Sequence, residues 1–349
     1  MLRRLLLVCL AACGSSSPNP GTGDAPGGSG VDAPLPPMTD ATPMPTNKVT
    51  IIVEPNGNKG SELTAAINAA TQSVYMTMYQ IDSTPVLSAL VARKQAGLDV
   101  QVILDGSTTC KSFNTPAYNQ LHNAGISVVW SNSTFTYTHE KTVMVDGTTA
   151  WIMTMNSNTS SPSSNREYLA TDTDPTDVAE AIAVFKADHA MQSITPAGPL
   201  VVAPVNARPD LVALIDTAMT TLDVEGEEFS DTYSTGVVNA VARAATRGVT
   251  VHVVIATGNA DTTSINRVKN AGGHVVLTGP TSGNGTASNP YIHAKAIVVD
   301  GTKAFVGSEN FTGGSLGYNR ELGVMFDTAS EVSKVKAAID TDFSKGVAQ

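Results

Sequence analysis

The sequence predicts an α/β fold built from two tandem copies of one unit, and three observations carry that expectation. Its 349 residues are about twice the length of a typical domain of roughly 150 residues. Strand-like and helix-like stretches alternate from Val49 onward, the order of an α/β sandwich. The same order then recurs, and it carries a set of polar residues repeated at a fixed offset of 154 positions.

Each copy can be followed element by element. Val49 to Val53 is a β-branched run, Glu62 to Thr71 has helical spacing, and Val74 to Tyr79 reads as a strand. Ser83-Thr84-Pro85 places a capping hydroxyl and a first-turn proline ahead of a helix that runs to Gly97. Val100 to Leu104 is the next strand; a helix from about Thr115 to Asn123 stops at Gly125, and Ile126 to Trp130 is again apolar and β-branched. In the second copy, Leu211 to Thr221 reads as a helix, Leu222 to Phe229 as a strand, Thr235 to Arg247 as a helix and Val249 to Ile255 as a strand. Arg247-Gly248-Val249 falls where Ala96-Gly97-Leu98 fell in the first copy.

Ahead of these copies, Met1-Leu2-Arg3-Arg4 and the apolar Leu5 to Ala12 have the form of a secretory signal, too short to span a bilayer as a helix. It ends in Leu10-Ala11-Ala12-Cys13, which resembles the bacterial lipoprotein box, where cleavage precedes a cysteine that becomes lipid-modified. Gly14 to Lys48 holds eight prolines, six glycines and no aromatic residue, a composition that cannot bury enough apolar surface to offset chain entropy. It is expected to be a disordered tether spanning roughly 30 to 35 Å. The expected organisation is a signal at 1–12, a tether at 13–48, a first half at 49–195 and a second at 196–349. The expected address is the bacterial cell envelope, at the outer membrane, surface or periplasm, with simple secretion as the alternative.

Composition narrows the function. Lys and Arg number 21 against 31 Asp and Glu, a formal charge of −10, which argues against a chain that gathers nucleic acid by phosphate contacts. No run of eighteen apolar residues occurs, which excludes a polytopic helical membrane protein. The cysteines Cys9, Cys13 and Cys110 have no metal-type spacing, so neither a disulfide framework nor a zinc site is expected, and Cys110 reads as a small packed residue.

The chemistry lies in His139-Glu140-Lys141-Thr142-Val143-Met144-Val145-Asp146 and His293-Ala294-Lys295-Ala296-Ile297-Val298-Val299-Asp300, both reading H-x-K-x4-D. Asn156 with Asn310, and Asn165-Arg166-Glu167 with Asn319-Arg320-Glu321, keep the same offset. In a strand, positions i and i+2 share a face, so each His points the way of its Lys. Asp146-Gly147 and Asp300-Gly301 are dipeptides preferred in two-residue hairpin turns. Such turns would set Val145 against Thr148, Thr154 against His139 and Ser308 against His293, with Asn156 and Asn310 two residues on. Each hairpin would then present His, Lys, a hydroxyl and Asn to one phosphate: a charge, fixed donors, and an imidazole that can attack or move a proton.

These motifs resemble the phospholipase D superfamily, whose members carry two such H-K-D motifs meeting across a pseudo-two-fold axis. The likeness covers residues 49 to 349 and includes Met78-Tyr79-Gln80-Ile81-Asp82-Ser83-Thr84 and Gly307-Ser308-Glu309-Asn310; Met153-Thr154-Met155-Asn156 departs from the latter but keeps a hydroxyl. The resemblance implies two α/β/α sandwich units sharing one active site. It also implies a metal-free, cofactor-free, two-step phosphodiester reaction in which His139 attacks phosphorus and His293 protonates the leaving alkoxide. Lys141, Lys295, Asn156 and Asn310 would bind the phosphate oxygens, with Thr154 and Ser308 beside them, and Glu167 and Glu321 would orient the histidine rings. Both motifs lie in one chain, so no oligomer is required.

Other polar residues have plainer readings. His122, His189, His252 and His274 arrive without partners and are expected to be structural. Asp146 and Asp300 are expected to serve their turns. Asp223, Glu225, Glu227, Glu228 and Asp231, which match Tyr75 to Ser83, read mostly as a solvated rim, with attraction of a cationic head group as the sharper alternative. Gly279 to Tyr291 is loop-rich and runs into His293, as a lid or an inert loop. Family members cleave phospholipids, transfer phosphatidyl groups to alcohols or cut nucleic acids. The acidic charge and the expected lipid anchor favour a phospholipid substrate met at a membrane, over a nuclease, a cardiolipin-synthase-like transferase or a non-enzymatic lipoprotein.

Overall fold

A computed structural model describes residues 48–349 apart from Asn284. The expected signal, Cys13 and the tether as far as residue 47 lie outside the described residues.

The first half runs β1 (Thr50–Glu54), α1 (Ser61–Ala69), β2 (Ser73–Met78), α2 (Thr84–Gln95), β3 (Asp99–Leu104), α3 (Lys111–Asn123), β4 (Ser127–Trp130), β5 (Lys141–Val145), β6 (Thr149–Met153), α4 (Ser161–Ser164), β7 (Asn165–Asp172) and α5 (Pro175–His189). The second runs β8 (Val201–Ala203), α6 (Ala207–Asp216), β9 (Thr221–Gly226), α7 (Val237–Thr246), β10 (Thr250–Ala256), α8 (Thr262–Asn270), β11 (His274–Thr278), β12 (Tyr291–Ile292), β13 (Lys295–Val299), β14 (Lys303–Gly307), α9 (Gly313–Tyr318), β15 (Glu321–Phe326), α10 (Ala329–Lys345) and β16 (Val347–Ala348). One mixed sheet has the order β1-β7-β6-β5-β2-β3-β4, and the other β16-β11-β10-β9-β13-β14-β15-β8. Parallel strands are joined through helices, and the H-K-D hairpins are antiparallel, as a turn of a few residues requires.

Three apolar clusters organise these layers. Leu63, Leu90 and Leu121 seal α1, α2 and α3 on one sheet, and Leu211, Val241 and Val268 seal α6, α7 and α8 on the other. The third cluster joins the halves: Ile152, Tyr168 and Phe185 from the first meet Val298, Val324 and Ile339 from the second. Burying each such side chain stabilises the fold by roughly 1.5 to 3 kcal/mol, so the halves form one folded unit rather than two independent ones.

Some helix starts differ from the expected ones. α3 begins at Lys111, not near Thr115, and carries Pro116 in its second turn. A proline there forfeits one hydrogen bond, and the turn before it is pinned by buried Asn114, which accepts from Ile81 N at 3.2 Å and donates to Tyr79 O at 2.8 Å and Asp105 O at 3.1 Å. α6 likewise starts at Ala207, with Pro209 in its first turn.

The hairpin register also departs from expectation, by the same amount in both halves. Asp146 and Gly147 have φ of 54° and 68°, Asp300 and Gly301 of 52° and 63°, the left-handed pairs that a tight turn needs. Yet Val145 pairs with Thr149 and Val299 with Lys303, one residue beyond the expected partners. The extra residue stays in a turn tied to the chain entering the neighbouring strand. Asp146 accepts N–H bonds from Thr71, Gln72 and Ser73 at 2.7–2.9 Å, and Asp300 from Met219, Thr220 and Thr221 at 2.7–3.0 Å. The two motif aspartates are therefore clamps at the far ends of the strands from the histidines.

Asp300→Ala should accordingly lower stability by about 1–3 kcal/mol, read as a denaturation midpoint, and leave kcat unchanged. Slight burial works to raise the Asp300 pKa, but the N–H donors from Thr221 and Thr220 more than offset it and hold the carboxyl below its usual range. The stabilising contribution is therefore present above the ordinary Asp value of about 4 and fades as pH falls through the lower folded value. The gap between wild type and variant should close in acid; a gap that persisted there would mean that the carboxylate is not the clamp.

Candidate active site

The site is built where each half reaches into the other. Thr138 forms a parallel bridge with Arg320, and Tyr291–Ile292 of β12 pairs parallel with Asn165–Arg166 of β7. The chain just ahead of each motif histidine is thus stitched to the strand that carries the opposite half's Arg-Glu pair. Consequently His139 Nδ1 meets Glu321 Oε2 at 2.9 Å, and His293 Nδ1 meets Glu167 Oε1 at 2.9 Å. Each histidine is oriented by the other half's glutamate.

Both glutamates are fully buried and held by local donors. Asn165 donates to Glu167 at 3.0 Å and Asn319 to Glu321 at 3.1 Å; Thr154 adds a 2.5 Å bond to Glu167, and Ser315 a 2.7 Å bond to Glu321. Burial works to raise the Glu321 pKa, but His139, Lys141 and Ser315 override it and keep the carboxyl below its usual range. An ionised carboxylate at Nδ1, with Ser308 O also 3.2 Å from that atom, fixes the proton there and leaves the His139 Nε2 lone pair for chemistry. Burial, reinforced by Lys141 and Lys295 against the pull of Glu321, lowers the His139 pKa to about 4. At neutral pH this ring is uncharged.

Lys141 and Lys295 are fully buried, and each donates to the backbone carbonyl of its own motif histidine. Burial, with Lys295 adding to it, lowers the Lys141 pKa to about 8, so its charge survives at neutral pH. Two buried ammonium groups in one site are costly without anions beside them. Asn156 and Asn310 are 7% exposed, and their side-chain oxygens are buried with no protein partner. Ser157 N donates to Gln80 O and Phe311 N to Glu228 O, which lays both asparagines beside the chain leaving β2 and β9.

Thr154 and Ser308 are corrected. The one-residue slip takes them from positions opposite the histidines. Thr154 holds Glu167 and accepts from Tyr168 N at 2.9 Å, while the Ser308 hydroxyl accepts from Leu322 N at 3.1 Å. Their hydroxyls support the scaffold rather than a phosphate.

The solvated-rim reading of the acidic run is corrected too. β9 lies between β10 and β13 inside its sheet, so both of its edges are paired, and side chains on both of its faces are buried. Asp223, Glu225 and Asp231 are 1% exposed or less and bond to His252, Tyr168 and Arg208. Glu227 lies in the site itself, 2.9 Å from Lys295 Nζ. Of the other histidines, His252 bonds Asp223, His189 Nε2 lies 3.1 Å from Ser127 O, and His122 stacks on Tyr118. Cys110 is fully buried at the start of α3, and burial raises its pKa.

Two further residues escaped notice although they keep the 154-residue offset. Asp342 on α10 grips Arg166, with Nε to Oδ2 at 2.5 Å, and Asp188 on α5 grips Arg320, with Nη2 to Oδ1 at 3.1 Å. These crossed pairs tie the helix at the end of each half to the other half's glutamate-bearing strand. A repeat comparison extended past the motif blocks would have found them.

A family model described as "Cardiolipin synthase, PLD-like domain" matches residues 63–189 and again 211–344. The chain belongs to the phospholipase D superfamily. As a phospholipase D-like chain it also has structural relatives. It is similar to the phosphatidylserine synthase of Haemophilus influenzae Rd KW20, with a TM-score of 0.64, 11% identity, and coverage of 86% of this chain and 87% of that one. It is similar to the polyphosphate kinase of Porphyromonas gingivalis, with a TM-score of 0.65, 16% identity and coverage of 84% of this chain. The matched part is 46% of the kinase, so the chain spans less than half of that relative's length. At such identities the likeness is one of fold: tandem, pseudo-symmetric α/β units. No curated protein matches the chain significantly by sequence.

Proposed function

We propose that the protein is a metal-independent phosphodiesterase that hydrolyses phospholipids to phosphatidate and free head group through a phosphohistidine. The observation that carries this reading is the pair of buried His-Lys-Asn sets, each histidine held at Nδ1 by a buried glutamate. In the first step His139 Nε2 bonds to phosphorus as the bond to the head-group oxygen breaks, and that oxygen takes a proton from His293 Nε2. In the second, His293 takes a proton from water, the water oxygen attacks phosphorus and the N–P bond breaks. Lys141, Lys295 and the asparagine amides face the charge that grows on the non-bridging oxygens.

The acidic net charge supports a lipid over a nucleic acid. The lipoprotein-like Cys13 and its tether support a protein anchored in the bacterial envelope, where phospholipid is at hand. The test is the purified chain incubated with a chelator and offered phosphatidylcholine, phosphatidylglycerol and plasmid DNA in parallel. Release of head group alone is expected. DNA nicking without lipid turnover would overturn the lipid reading, and lipid turnover abolished by the chelator would overturn metal independence.

A further inference from the structure

Strand pairing shows which residues of the two half-sites correspond. β9 pairs with β13 so that Gly226 faces Lys295, and β2 pairs with β5 so that Met78 faces Lys141. The next residue along is Glu227 in one half and Tyr79 in the other. Around the Tyr79 position the site is aromatic: the ring stands edge-on to His139 with centroids 4.5 Å apart, and Lys141 Nζ lies 5.0 Å from its centre. Around the Glu227 position the site is anionic. Glu227 Oε2 is 2.9 Å from Lys295 Nζ and 3.5 Å from His293 Nε2.

We propose that Glu227 is a positioning residue that breaks the chemical symmetry of the site, holding the proton on His293 Nε2 and so reserving the proton-donor role for that histidine. The inference rests on the phosphodiesterase reading above and adds to it a group that neither H-K-D motif contains.

The geometry supports it from several sides. His293 lies between two carboxylates, Glu167 at Nδ1 and Glu227 near Nε2, whereas His139 has one carboxylate and a π-system. The Glu227 side chain cannot swing freely: Tyr291 OH donates to Oε1 at 2.9 Å, Asn259 Nδ2 donates to Tyr291 OH at 3.2 Å, and Glu227 N donates to Ala294 O at 2.9 Å. The loop from Gly279 thus ends by delivering Tyr291 to this carboxylate. The cations bearing on the pair are Lys295 on β13 and, across the site, Lys141 on β5; the neighbouring acids are Glu167, Glu228 and Glu321. Burial works to raise the Glu227 pKa, but His293 and Lys295 override it and hold the carboxyl well below its usual range. Burial, with the Glu227 charge beside it, instead raises Glu228 to about 8. The negative charge therefore resides on the oxygen pair nearest His293. When a phosphodiester binds, Lys295 can turn to its oxygens, and the proton on Nε2 passes to the leaving alkoxide.

The test is Glu227→Gln, which keeps shape and removes charge, compared with wild type on phosphatidylcholine and on phosphatidyl-p-nitrophenol. The choline oxygen needs a proton to leave and p-nitrophenolate does not. By rapid mixing, the variant should lose on the order of 100-fold in the rate of the first, phosphoenzyme-forming step on phosphatidylcholine and much less in that step on the nitrophenyl ester. Its high-pH limb should move to lower pH, because an imidazolium that loses a neighbouring anion gives up its proton earlier. Equal losses in that first step on both substrates would overturn the proposal. A readout without substrate separates its failure from that of the functional reading. By nitrogen NMR of the imidazoles, the protonation midpoint of His293 should fall by about one unit or more in Glu227→Gln and stay near wild type in Glu227→Asp. If neither lipid is turned over by wild type, the phospholipase reading fails while this titration still decides the role of Glu227. An unmoved His293 midpoint in the folded variant would end it.

Discussion

His139→Ala is expected to abolish turnover of every phosphodiester offered, while His293→Ala is expected to lose phosphoenzyme formation only where the leaving group needs a proton and to be slow for every substrate in the hydrolysis that follows. In the mechanism proposed, the uncharged His139 ring, with Nδ1 fixed by Glu321 and Ser308 O, presents the lone pair that forms the phosphohistidine. Nothing else among the described site residues replaces it, since both lysines are tied to backbone carbonyls. His293→Ala removes the general acid of the first step, a loss of about 10² to 10⁴ in the rate of that step for an alkyl leaving group and much less for p-nitrophenolate. Rapid mixing with the nitrophenyl ester should then show a burst, as the phosphoenzyme forms faster than an impaired second step clears it. A burst of nitrophenolate from His139→Ala, with none from His293→Ala, would reverse the two roles.

Glu321→Gln should be nearly as damaging, although Glu321 belongs to the other half of the chain from the histidine it serves. An amide in that place can present its NH₂ to Nδ1, which favours the tautomer whose lone pair sits on the wrong nitrogen. The comparable Asp-to-Asn exchange beside a catalytic histidine costs about 10⁴ in kcat. Here the expected loss is about 10² to 10⁴, and it should be a loss in kcat rather than KM, since Glu321 touches the histidine and not the phosphate. The crossed pairing gives a sharper readout. Nitrogen NMR of Glu321→Gln should shift the His139 ring signals and leave those of His293 in place, and Glu167→Gln should do the opposite. If Glu321→Gln moved His293 instead, the exchange of glutamates between halves would be wrong.

Much of this site was legible in the residues. The two H-x-K-x4-D blocks, the asparagines and the Asn-Arg-Glu triplets share one offset, and strand periodicity puts each His and Lys on one face whatever surrounds them. The Asp-Gly turns were equally readable, because left-handed φ at both positions is a local demand. Register was not. It depends on how many residues the turn takes up, and that is set by Thr71–Ser73 and Met219–Thr221, which are distant in sequence. One residue of slip sufficed to turn Thr154 and Ser308 from phosphate donors into scaffold. The acidic run misled for a related reason: charge spacing suggests a solvated edge, but β9 is an inner strand, and Asp223, Glu225 and, beyond the strand, Asp231 find His252 on β10, Tyr168 on β7 and Arg208 on α6 only once the fold brings those elements together.

By itself the sequence determined that the protein is a duplicated α/β chain and that each half carries one His-Lys-Asn set on a hairpin, because periodicity, turn chemistry and a repeated offset are properties of short segments. Tertiary structure alone decided who serves whom. That Glu321 orients His139, that Asp188 and Asp342 clamp the opposite half's arginines, and that Glu227 stands where its counterpart is Tyr79 all follow from two halves packing through a shared apolar core. Such packing fixes contacts between residues far apart in the chain, and no local pattern encodes them.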